Sequence, residues 1–456
     1  MIFRDRGPSE DCLTLNIWAP TVRPRSGLPV MVWIHGGGFV LGSSSEPRQD
    51  GAKLAASHQV IVVSMNYRLG IFGFFAHPEL EAESLHHASG NYGLLDQVAA
   101  LEWVHENIAA LGGARDNVTI FGESAGSYSV SILMASPLGK GLFQRAIGES
   151  GGAFPDPGHA FATRLFAEKQ GAAFAHAELA ADTLAELRST AAEHVLAAST
   201  QDGASRFPIT PDVDGYLLPR SVIAIFAAGQ QNDVPLLAGW NRDEGGVRTE
   251  VRKSAFVEDV RAVYAANASE VLDLYPAADD AGARLSATAL ASDRFIGFST
   301  WRWIEAQGHT GHQPVYRYRF DHVAPADRFH PDGVSAYHSS EIPYVFGTFG
   351  LLPKIPYRPE DVAVSEFVQQ YWTNFASTGD PNRSLPEKTG SGQRTSPEWP
   401  RYAPGTRWQV LTLNSRPVVA PDPVRAREQR MQTILELIAP ATTERDDPKR
   451  GARGQR

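Results

Sequence analysis

The stretch VTIFGESAGSYSV, Val118 to Val130, decides how the rest of the chain is read. Val118 to Phe121 are β-favouring residues that run into Gly122-Glu123-Ser124-Ala125-Gly126, and Ser127 to Ala135 then reads as an apolar helix that opens on small residues. Strand, sharp turn and helix in that order hold a serine at the apex with its hydroxyl clear of a sheet, while the flanking glycines avoid collisions that a Cβ would cause. The chain carries its own control. Gly148-Glu149-Ser150-Gly151-Gly152 has the same pattern after another apolar run, but the next residues, GGAFPDPGH, are too rich in Gly and Pro to start a helix at once. Ser124 is therefore the candidate nucleophile, and Ser150 is read as a strand-end serine that supports it.

Working outward, Leu28 to Ile34 and Val60 to Met65 are nearly continuous apolar runs, the mark of strands covered on both faces, whereas Leu13 to Trp18 alternates as a half-buried strand does. Gly93 to Leu111 has helical spacing at Leu94, Val98, Leu101, Val104 and Ile108 and stops at Gly112-Gly113. Strand and helix alternate up to the serine, which predicts a parallel sheet with right-handed crossovers. Pro235 to Trp240, Val315 to Phe320 and Trp408 to Leu413 read as further strands, the last of them closing the sheet, and Phe367 to Phe375 as an aromatic-rich helix. Segments 160–200 and 254–306 are helical in composition and are expected to be insertions over the sheet's carboxyl edge. One catalytic domain over 1–441 is the expected organisation, with a polar loop over 387–398 and a disordered tail over 442–456.

Composition narrows the function. With 456 residues, 43% of them hydrophobic, the chain can bury a large core, and its formal charge of −9 argues against nucleic acid or an anionic membrane surface as partner. No stretch reaches the roughly eighteen uninterrupted apolar residues of a membrane span, and the N-terminus has no apolar leader. As written the chain reads as soluble and cytoplasmic; an upstream export signal would make it secreted or periplasmic. Cys12 is its one cysteine, so no disulfide forms within it. No cofactor is expected, and no His, Asp and Glu set has metal-ligand spacing.

An alcohol is a poor nucleophile at neutral pH, so Ser124 requires an imidazole to take its proton and a carboxylate to orient that imidazole. In folds with this elbow the chain order is serine, acid, histidine. Among the histidines after Ser124, His338 stands in a short loop before an apolar stretch, while His309, His312, His322 and His330 lie in polar surroundings and read as solvated. Glu244 follows a strand end and precedes Gly245-Gly246; Asp243 is the alternative acid, and both stay open at this point. His35-Gly36-Gly37-Gly38-Phe39, directly after a buried strand, leaves unshielded backbone N–H groups that can face a developing negative charge. Phe39, Phe295, Phe298 and Trp301 are candidate pocket aromatics, each of which also suits the core.

These segments, with SEDCLTLNIWAP (9–20), WIHGGGFVLGS (33–43), NYRLGIFGF (66–74), GNYGLLDQVAALEWV (90–104), GLFQRAIGESG (141–151), GWNRDEGG (239–246), YHSSEIPYVFG (337–347), WTNFASTGDPN (372–382) and WPRY (399–402), make the chain resemble a type-B carboxylesterase of the cholinesterase-like group of α/β-hydrolases. The resemblance implies a mostly parallel central sheet flanked by helices. It also implies hydrolysis of small carboxylic esters through an acyl-enzyme, with Ser124 as nucleophile, Glu244 as acid and His338 as base, and with Gly37, Gly38 and Ala125 as the oxyanion hole. Ser127 and Ser339 stand where the family usually has Gly or Ala and Gly. The chain starts almost at Glu10-Asp11-Cys12-Leu13, so the family's usual N-terminal region, the cysteine that partners the counterpart of Cys12 and the choline-binding aromatic segment are not in it, and no choline ester is inferred. A short form or a truncated product is the expectation, in which a missing sheet edge weakens folding or widens the pocket. Two rivals remain: a non-catalytic binding module of cholinesterase-like type, and an inactive truncated fragment. Nothing in the sequence specifies the oligomeric state.

Overall fold

The computed structural model describes residues 7–21, 27–157, 161–201, 204–327, 330, 335–383 and 397–439; the tail 442–456 and most of the loop 387–398 lie outside them. Its main sheet has nine strands: β1 (Leu15–Trp18), β2 (Leu28–Ile34), β3 (Ile61–Met65), β4 (Gly113–Glu123), β5 (Arg145–Glu149), β6 (Leu236–Asn241), β7 (Val315–Phe320), β8 (Gln409–Leu413) and β9 (Val418–Pro421). The order across the sheet is β1-β3-β2-β4-β5-β6-β7-β8-β9, antiparallel only at β1-β3 and β8-β9. Every residue of β2 and β3 is buried. Val30, Val32 and Ile34 enter one apolar core, while Met31 and Trp33 enter a second on the opposite face. The continuous apolar runs are thus the imprint of a sheet covered on both sides.

Helix α1 (Tyr92–Asn107) precedes β4, and α2 (Ala125–Ala135) leaves it, beginning immediately after Ser124 and two residues before the run that composition marks as helical. Helices form at Arg164–Leu179, Leu184–Ser189 and Ala192–Ser199, and again at Lys253–Tyr264 and Ala268–Leu274. They are followed by α3 (Asp280–Ser292), a π-helical turn at Asp293–Gly297, and α4 (Phe298–Thr310). Helix α5 (Pro359–Thr378) starts at a proline, eight residues before the aromatic run by which the sequence marks it.

Two expectations require correction. Trp408–Leu413 is not the last strand, because β9 turns back antiparallel on β8 and a further helix, Arg425–Ile438, comes after it. Val315–Phe320 is a strand as read, β7 lies between β6 and β8, and Arg317 within it is fully buried. Its guanidinium lies 2.7 Å from Asp422 and 4.1 Å from the centre of the Trp240 ring, which is how a cation is accommodated there. His322 is buried rather than solvated, with Nε2 2.6 Å from Asp361. His309 and His312 do carry exposed side chains.

Candidate active site

The carboxyl ends of the parallel strands bring the singled-out residues together, as open α/β sheets do with their sites. Strands β4 and β5 lie side by side with Gly122 opposite Gly148 and Glu123 opposite Glu149, so the two G-x-S-x-G segments reach the sheet edge at the same level. Both serines have positive φ, 54° at Ser124 and 53° at Ser150. They differ in the element that each one opens and in burial. Ser124 leads directly into α2, whereas Ser150 is fully buried and its hydroxyl has no partner among the described residues. The Ser124 N–H donates to Glu149 O at 2.9 Å and its carbonyl accepts from Tyr128 N–H at 2.9 Å, which fixes the elbow from both sides. A Cβ on Gly126 would stand 2.0 Å from the carbonyl oxygen of Ile34 at the end of β2, so the second glycine of the turn is required by close backbone packing.

His338 lies in the turn after β7. Asp243 holds that turn to the end of β6: its N–H donates to Ala336 O, and its carboxylate accepts from Ala336 N–H, both at 3.0 Å. The alternative acid therefore anchors the histidine loop and does not touch the imidazole. The imidazole itself bridges two partners. Nε2 is 3.0 Å from Ser124 Oγ, and Nδ1 is 2.5 Å from Glu244 Oε2. Glu244 is buried, and its other oxygen accepts the Asn241 backbone N–H at 2.7 Å.

Further carboxylates lie around this imidazole. Glu123 Oε1 is 3.3 Å from His338 Nε2 and accepts the Ser339 hydroxyl at 2.6 Å; Glu341 accepts from Asn241 Nδ2 at 2.5 Å. Burial, the largest influence on His338, works against the imidazolium, but the charges of Glu123 and Glu244 and the hydrogen bond to Glu244 prevail and raise the imidazole to about 9. Burial likewise raises Glu123, against the pull of His338 and Arg48, and lifts Glu341 to about 8 with help from its acidic neighbours. Glu149, fully buried and bonded to the Trp372 indole N–H at 2.8 Å, is pushed well above the carboxylate range, first by burial and then by Glu341.

Beside Ser124, where a Cβ on Gly36 would come within 3.1 Å of the serine Cβ, the loop after β2 is folded tightly. Val40 and Leu41 N–H both donate to Gly37 O at 3.1 Å, and Gly70 N–H donates to Phe39 O at 2.7 Å. Gly37 has φ 114°, and a Cβ on it would meet the Leu41 carbonyl oxygen at 2.0 Å. The backbone N–H groups of Gly37, Gly38 and Ala125 find no acceptor among the described residues, and the last of these is at the first turn of α2, where such groups have no helical partner. His35, below this loop, is held near 4 by burial and stacks on Tyr67, whose hydroxyl donates to its carbonyl at 2.8 Å. It is a structural histidine.

Of the candidate aromatics, Phe39, Phe298 and Trp301 are core residues, and Phe295 is 52% exposed with its ring against His338. Sequence reasoning assigns no role to Asn241, Ser339 or Glu341, although all three fall within the quoted segments GWNRDEGG and YHSSEIPYVFG. The available signal is spacing: Asn241 lies three residues before Glu244, and Glu341 three after His338. Among the described residues no group of three His, Cys, Asp or Glu side chains is arranged to hold a metal ion, and no helix is long and apolar enough to cross a membrane.

A model described as the carboxylesterase family matches residues 3–433. Para-nitrobenzyl esterase of Bacillus subtilis (strain 168) is 37% identical over 449 residues, covering 93% of this chain and 83% of that protein. Fumonisin B1 esterase of Sphingopyxis macrogoltabida is 35% identical, over 91% of this chain and 74% of its own length. Acetylcholinesterase of Bungarus fasciatus is 33% identical, over 93% and 72%. A solved structure of PNB esterase superposes with a TM-score of 0.73 at 35% identity, covering 93% of this chain and 85% of that one.

Proposed function

The chain belongs to the carboxylesterase family and is a carboxylic ester hydrolase, and from that premise we propose that Ser124, His338 and Glu244 carry the reaction. One observation supports this assignment above the others: a single imidazole stands 3.0 Å from the Ser124 hydroxyl and, through its other nitrogen, 2.5 Å from a buried carboxylate. Ser124 Oγ attacks the ester carbonyl as His338 Nε2 takes its proton. Glu244 holds the Nδ1 tautomer and stabilises the imidazolium. The tetrahedral oxyanion accepts the N–H groups of Gly37, Gly38 and Ala125, each such donor contributing about 10²–10³ in rate. Collapse expels the alcohol, which receives the proton from Nε2, and water repeats the cycle on the acyl-serine.

The substrate class is small carboxylic esters. The sheet that positions the site runs unbroken from β1 at Leu15 to β9 at Pro421, which supports a single catalytic domain, with the helices of 164–199 and 253–310 as its insertions. Turnover of p-nitrophenyl butyrate by the parent, Ser124→Ala and Ser150→Ala tests the assignment. The parent and Ser150→Ala turn over, and Ser124→Ala falls to background; equal turnover by the parent and Ser124→Ala removes Ser124 from the mechanism.

A further inference from the structure

Two separate chain segments carry the acid and the base, Glu244 just past β6 and His338 in the turn after β7, so the distance between them depends on what joins the segments. Asp243 ties the turn at Ala336, before the imidazole. Asn241, the last residue of β6, is fully buried and reaches both sides of the pair. Its backbone N–H donates to Glu244 Oε1 at 2.7 Å. Its side-chain nitrogen donates to the carbonyl of Tyr337, the residue before His338, at 2.8 Å, and to Glu341 Oε2, beyond His338, at 2.5 Å. A longer contact reaches the Ser340 hydroxyl at 3.4 Å. The amide donors are thus spent on both ends of the turn that presents the imidazole, while the backbone of the same residue holds the carboxylate that orients it. Ser339, inside that turn, has φ 68°, which a residue with a side chain rarely adopts, so contacts from outside hold the turn in its shape.

We infer that Asn241 is a positioning residue whose side-chain amide sets the His338 turn over Glu244 and so fixes the 2.5 Å contact between Nδ1 and that carboxylate. The inference rests on the assignment of His338 and Glu244 as base and acid. Without the amide, the Tyr337 carbonyl and the Glu341 carboxylate lose a buried donor, and the turn can settle away from β6. A displacement of about 1 Å at a reacting group costs about 10² in rate, so a displaced imidazole takes the Ser124 proton less well while the ester binds as before. Three carboxylates act on His338: Glu123, Glu244 and Glu341. The hydrogen bond from Glu244 weakens as the turn moves, and Glu341 without its donor takes up a proton more readily, so two of the three favour the imidazolium less.

The test sets Asn241→Leu, branched like asparagine but without polar atoms, and Asn241→Ser, smaller and with one donor, beside the parent and Ser124→Ala. Rates on p-nitrophenyl butyrate are divided by the concentration of sites that a fluorophosphonate titrates to completion, so that unfolded chains do not count, and circular dichroism checks the fold. In Asn241→Leu kcat per site should fall about 10- to 100-fold, and in Asn241→Ser by less, with KM within about threefold of the parent's. In both, the acid limb of kcat/KM against pH should lie at lower pH. A residue that only holds the fold together changes the yield of sites, not their rate or their pH dependence. An unchanged kcat per site, a rise in KM alone, or an acid limb that stays in place therefore overturns the inference. If Asn241→Leu does not fold, Asn241→Ser decides by the same criteria; failure of both to fold overturns the inference too, because Asn241 then serves the fold and not the site. Activity that is absent from Ser124→Ala but unaltered in the Asn241 variants overturns the Asn241 assignment alone, whereas activity that survives in Ser124→Ala overturns the assignment of the site beneath it.

Discussion

His338 Nε2 has two oxygens within reach, the Ser124 hydroxyl, which donates to it in the proposed mechanism, at 3.0 Å and Glu123 Oε1 at 3.3 Å. In the proposed mechanism its proton affinity sets the working pH of the enzyme. A general base must be neutral to act, and the surrounding carboxylates raise this imidazole from 6.5 to about 9, so activity is lost as pH falls through that range. Glu123→Gln keeps the shape and an acceptor for the Ser339 hydroxyl but removes a negative charge. The imidazolium is then less favoured and its pKa falls. In kcat/KM against pH, the acid limb of Glu123→Gln should therefore lie at lower pH than that of the parent, and an unmoved limb would show that Glu123 has no electrostatic hold on His338. The candidate nucleophile, histidine and acids were legible as residue types, because the proposed mechanism demands them and chain order limits the choice. Glu123 could be read beside the nucleophile as a charge that favours the imidazolium, whereas the places of Glu149 and Glu341 were not legible, since the two come from separate segments and only folding brings their charges within range of Glu123.

At the level of elements, the site depends on how closely β2, β4 and α2 approach at the elbow. Gly126→Ala would place its Cβ 2.0 Å from a backbone oxygen of β2, and neither backbone can give way without moving a central strand. Its unfolding free energy in urea should drop by about 3 kcal/mol, the upper end for overpacking, and Gly122→Ala, which meets Gly126 at 2.6 Å, should behave similarly. A loss under about 0.5 kcal/mol would mean that the elbow is looser than it looks. Elements with strong periodicity or unbroken apolar runs, such as β2, β3 and α1, could be read from sequence because each satisfies its pattern locally. Strand β9 and helix Arg425–Ile438 could not, because β9 has only four residues and the helix is largely polar. Their place is set by pairing with β8 and packing on the core, which are tertiary effects. The π-turn escapes sequence reading for the same reason: its anchors, Tyr275 and Arg427 on Asp293 and Gly245 on Ser292, lie far from it along the chain.

On the scale of the whole molecule, the end of the described chain is tied to its centre. The side chains of Arg317 on β7 and Asp422 just beyond β9 are both fully buried and 2.7 Å apart, and the Tyr402 hydroxyl donates to the same carboxylate at 3.0 Å. Such a pair is weak evidence of net stabilisation, but removing one partner strands the other charge out of water. Asp422→Asn should lower stability by about 3–5 kcal/mol in urea unfolding. The double change Arg317→Met with Asp422→Leu should cost less than the single one; a larger cost in the double variant would indicate that the pair itself is a major source of stability. The parallel sheet and its helical cover were legible from the alternation of segments, whereas the closing of the sheet by a buried ion pair was not, because Arg317 and Asp422 lie far apart along the chain.

The central claim is that one serine becomes covalently acylated with the help of His338, and it can be observed without following turnover. The parent, Ser124→Ala, Ser150→Ala and His338→Ala are treated with a fluorophosphonate that traps activated serines, and intact mass and peptide mapping then locate the adduct. The account predicts one adduct per chain on the peptide containing Ser124 in the parent and in Ser150→Ala, none in Ser124→Ala, and labelling slowed by about 10³-fold or more in His338→Ala. Stoichiometric labelling at Ser150 or elsewhere, or labelling of Ser124 at an undiminished rate without His338, would contradict it.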